Sequence, residues 1–390
     1  MNVFRRRPLG GRMADAIRSL LRRCRTSLIL ASLLFALALV GSAHAQYAGP
    51  VHTPADVERF QTYTGPVSGD AQTAWRDTFL GNRFNRAMAV TPKGVRGISQ
   101  GYPTEEEAIE AAMRFCADRV KQAKSSEACR LYAVNTRIVY PGHEFALPSL
   151  NIAIGDFTFR NEYVFLGPKR AKGVIVWQHG YNRRCIEARK NAAWSVISRF
   201  NVAGWDVLRF DRDPCLDGDL AWIHSQLVAS VPKLRQAGYK KIVLAGQSRG
   251  AWQSVEFLAK GQLTELVDGV LAFSPARHGE NTEGARLRAP ADWRRLMEAI
   301  QPKSFVFATV FFGSDPYVPE AASEAKTARD ALSDKGIRNA VIYEDGDDIV
   351  PLRDGERNGH SAASSSAFTN RYAACLIRFV EAGEKTGACR

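Results

Sequence analysis

One serine lies in the sequence pattern of an activated nucleophile. Residues 246–250 read G-x-S-x-G around Ser248, directly after an apolar run at 242–245 and before residues that favour a helix. A strand, a sharp turn and a helix in this order expose the serine hydroxyl, and small residues two positions before and after it let the chain reverse. Because a hydroxyl is a poor nucleophile at neutral pH, Ser248 needs a base within hydrogen-bond distance.

A histidine and an aspartate later in the chain could supply that base and its orienting acid. His360 lies in a polar, glycine-containing loop just before the last predicted helix, and Asp315 follows an apolar run at 305–311. In such a triad the imidazole takes the serine proton, and the carboxylate fixes the tautomer and stabilises the imidazolium. We therefore predict Ser248, Asp315 and His360, in this chain order, as catalytic residues.

The sequence leaves other assignments open. An acidic cluster at residues 345–348 lies nearer to His360 in the chain and could supply the carboxylate instead, and His278 is an alternative base. Ser248 could also be an ordinary turn residue in a fold without catalysis. Only the positions of these groups in space decide among the assignments.

Strands and helices alternate along the chain from about residue 150, which indicates a largely parallel sheet covered on both faces. The runs at 174–177 and 242–245 lack polar alternation, as strands buried on both faces do. The predicted strands are 157–165, 173–177, 206–210, 241–245, 269–273, 305–311 and 340–343. The predicted helices are 186–201, 218–237, 249–260, 288–300, 320–336 and 364–383.

With these elements in place, residues 150–390 resemble an α/β-hydrolase, a mostly parallel, doubly wound α/β fold. The resemblance rests on the strand, G-x-S-x-G turn and helix, and on the chain order of Ser248, Asp315 and His360. It implies a serine hydrolase that uses these three residues.

The resemblance also implies an oxyanion hole. The strand 173–177 leads into a His-Gly pair followed by Tyr181, and the backbone N–H groups of Tyr181 and Arg249 are the expected donors to the oxyanion. His179 of this pair is expected to support the turn and not to act as a base. An Asp-Arg-Asp sequence at 211–213 is interpreted as a turn with an ion pair.

The first 45 residues have the three parts of a secretory signal. Eight arginines precede an uncharged run at 27–41, and a small-x-small site ends at Ala45, after which cleavage is expected. The run is shorter than the roughly 20 residues that a membrane span needs, and a retained anchor is the alternative. We therefore expect a periplasmic or secreted protein.

Cysteine usage agrees with export. Six of the seven cysteines lie after residue 45, and an even number in an oxidising compartment suggests three disulfides. No C-x-x-C occurs and no histidine stands at ligand spacing beside a cysteine, so a metal site is not expected. The predicted serine mechanism requires neither a metal nor an organic cofactor. Proximity in the sequence suggests the pairs Cys116–Cys129, Cys185–Cys215 and Cys375–Cys389.

Four parts are predicted along the chain. In the third, strands at 87–90 and 129–134 flank a helix that begins after Pro103 with acidic residues in its first turn. This small module resembles cysteine-containing modules of exported bacterial proteins, and a structural or regulatory role is expected for it. The parts are a signal peptide at 1–45, an irregular arm at 46–80, a small α+β module at 81–140 and an α/β-hydrolase domain at 141–390.

Composition excludes several classes of protein. The 390 residues are 45% hydrophobic and 24% charged, which is ordinary for a folded protein and excludes intrinsic disorder and a polytopic membrane protein. The formal net charge is +13, but the first 45 residues carry eight Arg and one Asp, which leaves about +6 for the remainder. No basic tract with interleaved aromatic residues occurs, so nucleic acid is not an expected partner.

Residues and resemblance together predict an exported serine hydrolase, in the first place a carboxylic ester hydrolase with an acyl-enzyme intermediate and a small-molecule substrate. The alternatives are a peptidase or amidase with the same triad, and an exported binding protein that uses the hydrolase fold as a scaffold. Residues 277–296 are rich in Arg, Glu and Asn and contain no long apolar lid. This favours a small or polar acyl group over a long-chain lipid.

Overall fold

The protein is described from a computed structural model. The predicted signal sequence, Cys185 and His278 lie outside the residues that the structure describes, so the predictions that fall on them stay predictions. All described residues belong to one compact unit, and the domain borders predicted at residues 81 and 141 also stay predictions. The described residues are 59–63, 65, 67–82, 85–147, 152–160, 163–181, 193–277, 282–350, 352–353, 356–382 and 389.

A five-stranded antiparallel sheet, α-helices and a short 3-10 helix at Phe79–Gly81 form the N-terminal part of the described chain. The helices are α1 Gly69–Asp77 and α2 Glu105–Gln122. Thr104 caps α2 by accepting a hydrogen bond from the Glu107 N–H at 3.1 Å, and three glutamates in the first turn suit the helix dipole. The strands, in spatial order, are β2 Arg96–Ser99, β1 Ala87–Val90, β3 Arg130–Val134, β4 Arg137–Ile138 and β5 Phe145–Ala146.

Helix α1 lies in the segment that the sequence predicts as an irregular arm. Trp75 and Phe79 are one helical turn apart with ring centroids at 4.8 Å, and both are buried in a cluster with Phe60 and Tyr132 of β3. Burial of these rings stabilises the helix. The glycines and prolines near it in the sequence favoured the prediction of an irregular segment. Residues 69–77 are therefore helical and not irregular.

An eight-stranded, mostly parallel sheet forms the centre of the remaining chain. Adjacent strands within this sheet run parallel to each other, except that one strand runs antiparallel to the strands on both of its sides. The predicted fold class, an α/β protein with a small separate N-terminal sheet, is confirmed. The strands, in spatial order, are β13 Arg338–Glu344, β12 Val306–Phe312, β11 Gly269–Phe273, β10 Ile242–Gln247, β8 Val174–Gln178, β9 Asp206–Phe210, the antiparallel β7 Phe157–Phe159 and β6 Ala153–Ile154.

Six α-helices of the described residues pack around this sheet, and a hairpin of the two-residue strands β14 Leu352–Arg353 and β15 Glu356–Arg357 precedes the last of them. The helix at Ser195–Val202 packs on the one at Ser366–Ala382, whereas each of the four helices between them in the chain packs on the next. Helices on both sides explain why β8, β11 and β12 are buried along their whole length. The helices are α3 Ser195–Val202, α4 Leu220–Ala237, α5 Arg249–Ala259, α6 Glu283–Ala299, α7 Ala321–Asp334 and α8 Ser366–Ala382.

Helix α6 begins five residues before its predicted start at residue 288. Thr282 caps it by accepting a hydrogen bond from the Ala285 N–H at 3.3 Å. Pro290 therefore lies inside the helix.

The carboxyl ends of the parallel strands meet at one edge of the sheet. β8 ends at Gln178, β10 at Gln247 and β12 at Phe312, so the loops that carry the predicted site residues start from the same edge. Open α/β sheets bind their ligands at this edge.

Two of the predicted disulfides are present. Cys116–Cys129 joins α2 to the chain before β3, and Cys375–Cys389 joins α8 to Cys389, with Cα–Cα distances of 6.1 and 5.4 Å. The pairing predicted between Cys215 and Cys185 is not described. Within the described part of the chain, none of the helices is both long and apolar enough to cross a membrane.

Candidate active site

Ser248 lies in the turn between β10 and α5. Its backbone has φ 54° and ψ −117°, a conformation that residues with a side chain rarely adopt. A Cβ atom on Gly246 would lie 2.4 Å from the carbonyl carbon of Gly250, and one on Gly250 would lie 2.3 Å from the backbone oxygen of Gln178. Only glycine fits at both positions, which explains the spacing of the G-x-S-x-G pattern.

The imidazole of His360 is paired with the carboxylate of Asp315. Nδ1 lies 2.9 Å from Oδ2 and 3.0 Å from Oδ1, and the Asp315 side chain is only 1% exposed. Asp315 follows β12, and His360 lies in a short 3-10 helix at Gly359–Ser364 that precedes α8. A carboxylate at Nδ1 favours the tautomer with its proton on that nitrogen, which leaves Nε2 free to accept a proton.

Backbone contacts hold the His360 loop against the end of β12. The Gly359 N–H donates to the Ser314 oxygen at 3.2 Å, and a Cβ atom on Gly359 would lie 2.3 Å from the Gly313 oxygen. The Asn358 side chain accepts a hydrogen bond from the His360 N–H at 3.0 Å. Residue 359 must therefore be glycine for the loop to approach the strand this closely.

The same loop lies next to the turn of Ser248. Gln247 Nε2 donates to the backbone oxygen of His360 at 3.4 Å, which joins the residue before Ser248 to the predicted base. Among the hydrogen bonds between described residues, none joins Ser248 Oγ to the His360 ring. In triads of this type the contact is often long before a substrate binds and tightens in the complex.

The acidic cluster at residues 345–348, the alternative source of the carboxylate, has other partners. His360 contacts Asp315 instead, which lies 45 residues away in the chain. The alternative base, His278, lies outside the described residues. The ion pairs of the cluster are Asp347–Arg357 and Asp348–Arg371.

The His-Gly turn after β8 borders Ser248. A Cβ atom on Gly180 would lie 3.4 Å from the Cβ atom of Ser248. His179 is buried, and its Nδ1 lies 2.7 Å from Nη2 of Arg212. Burial, and then the Arg212 charge, hold the pKa of His179 well below its usual value. A buried imidazole with such a low pKa accepts a proton poorly, which suits the supporting role expected for His179 better than that of a base.

Arg212 also lies in this site, although the residues around it in the sequence do not predict a role for it there. The Asp-Arg-Asp sequence at 211–213 predicts a local ion pair, whereas the Arg212 side chain is fully buried and pairs with Asp217, with Nε 2.7 Å from Oδ1. Burial lowers its pKa to about 10, so it carries a charge at neutral pH. The one sequence signal was its position directly after a buried strand, at the edge where ligands bind.

The two residues expected to donate to the oxyanion are neighbours. Arg249 Cζ lies 4.6 Å from the centre of the Tyr181 ring, and Nη1 donates to the Asp217 backbone oxygen at 3.4 Å. Burial is the main cause of a lowered pKa of Arg249. The structure therefore brings Tyr181 and Arg249 together at the edge of the sheet where Ser248 lies.

A buried acid lies close to the predicted triad. Glu324 of α7 is 3% exposed, and its burial, followed by the charges of Asp315 and Glu320, raises its pKa to about 8. The Glu324 backbone oxygen accepts a hydrogen bond from Trp293 Nε1 at 3.0 Å. Glu324 therefore holds its proton to a higher pH than an ordinary glutamate does.

A cavity of about 600 Å³ opens beside the loop after β12. It is lined mainly by residues between 313 and 323, with Arg286 and Tyr343. Ser248 and His360 do not line it, so this cavity does not contact the predicted nucleophile or base. Among the described residues, no group of three His, Cys, Asp or Glu side chains could hold a metal ion.

No protein-family model and no curated protein sequence matches the chain. Among solved structures, a puromycin-hydrolyzing peptidase from Mycobacterium tuberculosis is 14% identical over 54% of this chain and 35% of that chain, with a TM-score of 0.38. An esterase from Pyrococcus furiosus is 16% identical over 45% of this chain and 72% of that chain, with a TM-score of 0.31. Est1E from Butyrivibrio proteoclasticus, solved with ferulic acid, is 14% identical over 60% of this chain and 97% of that chain, with a TM-score of 0.36. The chain thus spans about a third of the mycobacterial peptidase that it matches.

The fold follows from the sheet itself. The central sheet is mostly parallel, a strained serine turn joins β10 to α5, and the aspartate and histidine follow β12 and β13 in the chain. The α/β-hydrolase fold has these elements in this order along the chain. The chain has the α/β-hydrolase fold.

Proposed function

We propose that the protein is an exported serine hydrolase that cleaves carboxylic esters through an acyl-enzyme intermediate. The observation that carries the proposal is the His360–Asp315 pair, with 2.9 Å between Nδ1 and Oδ2, beside the strained turn of Ser248. A buried carboxylate that orients an imidazole next to such a turn is the arrangement that activates a serine.

In the first half-reaction, Ser248 Oγ attacks the ester carbonyl carbon while His360 Nε2 takes the hydroxyl proton. Asp315 stabilises the imidazolium that forms. The backbone N–H groups of Tyr181 and Arg249 donate to the oxyanion of the tetrahedral intermediate. When this intermediate collapses, the ester C–O bond breaks and His360 gives its proton to the leaving alcohol.

Water completes the cycle. His360 takes a proton from a water molecule, and the hydroxide attacks the acyl carbon bound to Ser248. The bond between the acyl carbon and Oγ breaks, the proton returns to Oγ, and the carboxylic acid leaves. The complete reaction consumes one ester and one water molecule, and it returns Ser248 and His360 to their starting states.

Export is supported by the disulfides Cys116–Cys129 and Cys375–Cys389, because disulfides persist in oxidising compartments. The secretory signal predicted at 1–45 supports the same location. Fractionation of cells that express the full chain, with N-terminal sequencing, should find a periplasmic or secreted chain that begins at Gln46. A cytoplasmic chain that keeps its first 45 residues would contradict the proposal.

A serine-reactive fluorophosphonate probe tests the catalytic part of the proposal. The probe should label the wild type, and the Ser248→Ala variant should not react. Ser274→Ala is the matched control, because Ser274 also follows a strand, is buried and has φ 47°, and this variant should keep its label. A folded wild type that takes no label would favour the scaffold function.

A substrate series separates the hydrolase classes. We expect turnover of p-nitrophenyl esters, with short acyl chains preferred because residues 277–296 carry no long apolar lid. Peptide p-nitroanilides serve as the amide arm of the series. Faster cleavage of the amides than of every ester would replace the esterase proposal with a peptidase or amidase.

A further inference from the structure

Arg212 binds both carbonyl groups of the His-Gly turn. Its Nη2 donates to the backbone oxygens of His179 at 2.7 Å and of Gly180 at 2.9 Å. Nη1 donates to Gln253 Oε1 at 2.7 Å, and Nε lies 2.7 Å from Asp217 Oδ1. The guanidinium is therefore held by α5, the helix that begins at the serine turn, and by the loop after β9, while it holds the His-Gly turn.

The direction of these carbonyl groups determines the direction of two N–H groups. A trans peptide is planar, with its C=O and its N–H pointing in opposite directions, and the described residues contain no cis peptide bond. Because the carbonyl groups of His179 and Gly180 point to Arg212, the N–H groups of Gly180 and Tyr181 point away from it. The turn itself borders Ser248. The Tyr181 N–H is thereby directed away from the buried guanidinium.

The charge of Arg212 makes the opposite orientation of the peptide costly. An N–H group turned towards a fully buried guanidinium would face a cation without solvent, and the guanidinium would lose an acceptor. The ion pair with Asp217 holds the cation in place. A lysine ammonium has no planar fork with which to bind two backbone oxygens, an amide and a carboxylate at once.

We propose that Arg212 is a positioning residue that orients the Gly180–Tyr181 peptide, so that the Tyr181 N–H serves as an oxyanion donor. This inference rests on the proposed function, because an oxyanion hole has a use only if Ser248 attacks a carbonyl carbon. Arg212 acts through the turn and does not touch the substrate.

Arg209 offers a matched control for Arg212. It is also a buried arginine, its Nη2 lies 2.8 Å from Oδ1 of Asp211, and no hydrogen bond of the described residues joins it to the turn at 179–181. Arg212→Lys and Arg209→Lys therefore disturb similar buried ion pairs, but only the first releases the turn. If R212K does not fold, the double variant with Arg212→Gln and Asp217→Asn is measured in its place, because it removes both charges of the buried ion pair and leaves neither unpaired.

Kinetics of p-nitrophenyl ester hydrolysis by the full mature chain give the first test. R212K should lower kcat about 100-fold and leave KM within about threefold, as loss of a donor used only in the transition state does. The affinity for a boronic acid, which forms a tetrahedral adduct with a serine, should fall by a similar factor. R209K should stay within about threefold of the wild type in both measurements. Equal kcat values for the two variants would overturn the proposal.

A crystal structure of R212K distinguishes failure of this inference from failure of the proposed function. A Gly180–Tyr181 peptide that has rotated away from its wild-type orientation supports the proposal. A peptide that keeps its orientation without the guanidinium overturns it, whether or not the protein hydrolyses esters. A wild type that neither turns over a substrate nor binds the boronic acid argues against the proposed function alone.

Discussion

Replacement of Asp315 by asparagine should remove most of the activity and leave the shape of the site unchanged. The two side chains have the same size, and the Asp315 side chain is 1% exposed, so the amide occupies the same buried place. Its Nδ2 can donate a hydrogen bond to Nδ1 of His360, which moves the ring proton to Nε2. An imidazole with its proton on Nε2 cannot accept the proton of Ser248.

Two effects set the magnitude of this loss. The wrong tautomer removes the base, and the negative charge that lies 2.9 Å from Nδ1 no longer stabilises the imidazolium in a site with little solvent. In a triad of this type, an amide in place of the carboxylate lowers kcat about 10⁴-fold. At 1.36 kcal/mol for each factor of ten, this is about 5 kcal/mol of transition-state stabilisation.

The assay is ester hydrolysis at pH 7, with unfolding curves to show that the variant folds. Asp348→Asn is the control, because Asp348 belongs to the alternative acidic cluster and pairs with Arg371 at 2.6 Å near the surface. D348N should keep kcat within about threefold, since exposed ion pairs contribute little. A D315N enzyme with more than a tenth of the wild-type kcat, or a larger loss in D348N than in D315N, would refute the assignment of Asp315.

Three further predictions concern stability. Because burial raises the pKa of Glu324 to about 8, the folded state keeps a proton that the unfolded chain releases above about pH 4.5, and the stabilisation is lost as the pH rises through 8. Glu324→Gln should therefore flatten the decline of the free energy of unfolding between pH 5 and 8, by on the order of 1–3 kcal/mol in urea titrations, and parallel curves for the two proteins would contradict this. Gly250→Ala should lower the free energy of unfolding by about 3 kcal/mol and abolish fluorophosphonate labelling, because its Cβ would lie 2.3 Å from the Gln178 backbone oxygen. An unchanged melting temperature would contradict the close approach of residue 250 to this oxygen. Replacement of both Cys116 and Cys129 by serine should lower the free energy of unfolding by about 3 kcal/mol in the same titration, given their sequence separation of 13 residues. Equal stability of the wild type with and without reductant would argue against the disulfide.

Features that depend on neighbouring residues could be predicted from the sequence by itself. The G-x-S-x-G pattern after an apolar run identified the turn of Ser248, and at position 246 the backbone atoms that exclude a larger residue belong to the turn itself. At position 250 the excluding atoms belong to Gln178 and His179, which are distant in the sequence. Continuous apolar runs identified the strands that are buried on both faces. The pairs Cys116–Cys129 and Cys375–Cys389 were predicted from short separations alone.

Only the tertiary structure decided which distant groups meet. Asp315 and the cluster at 345–348 both lie between Ser248 and His360 in the chain, and no local pattern separates them. Asp315 contacts the imidazole because the loop after β12 lies against the His360 loop, while arginines bind the cluster. Arg212 reaches the His-Gly turn because β8 and β9 are neighbours in the sheet, so that the loops after them start side by side. Local sterics and burial act over a few residues and leave a record in the sequence, whereas the partner of a buried charge depends on the order in which the sheet arranges its strands.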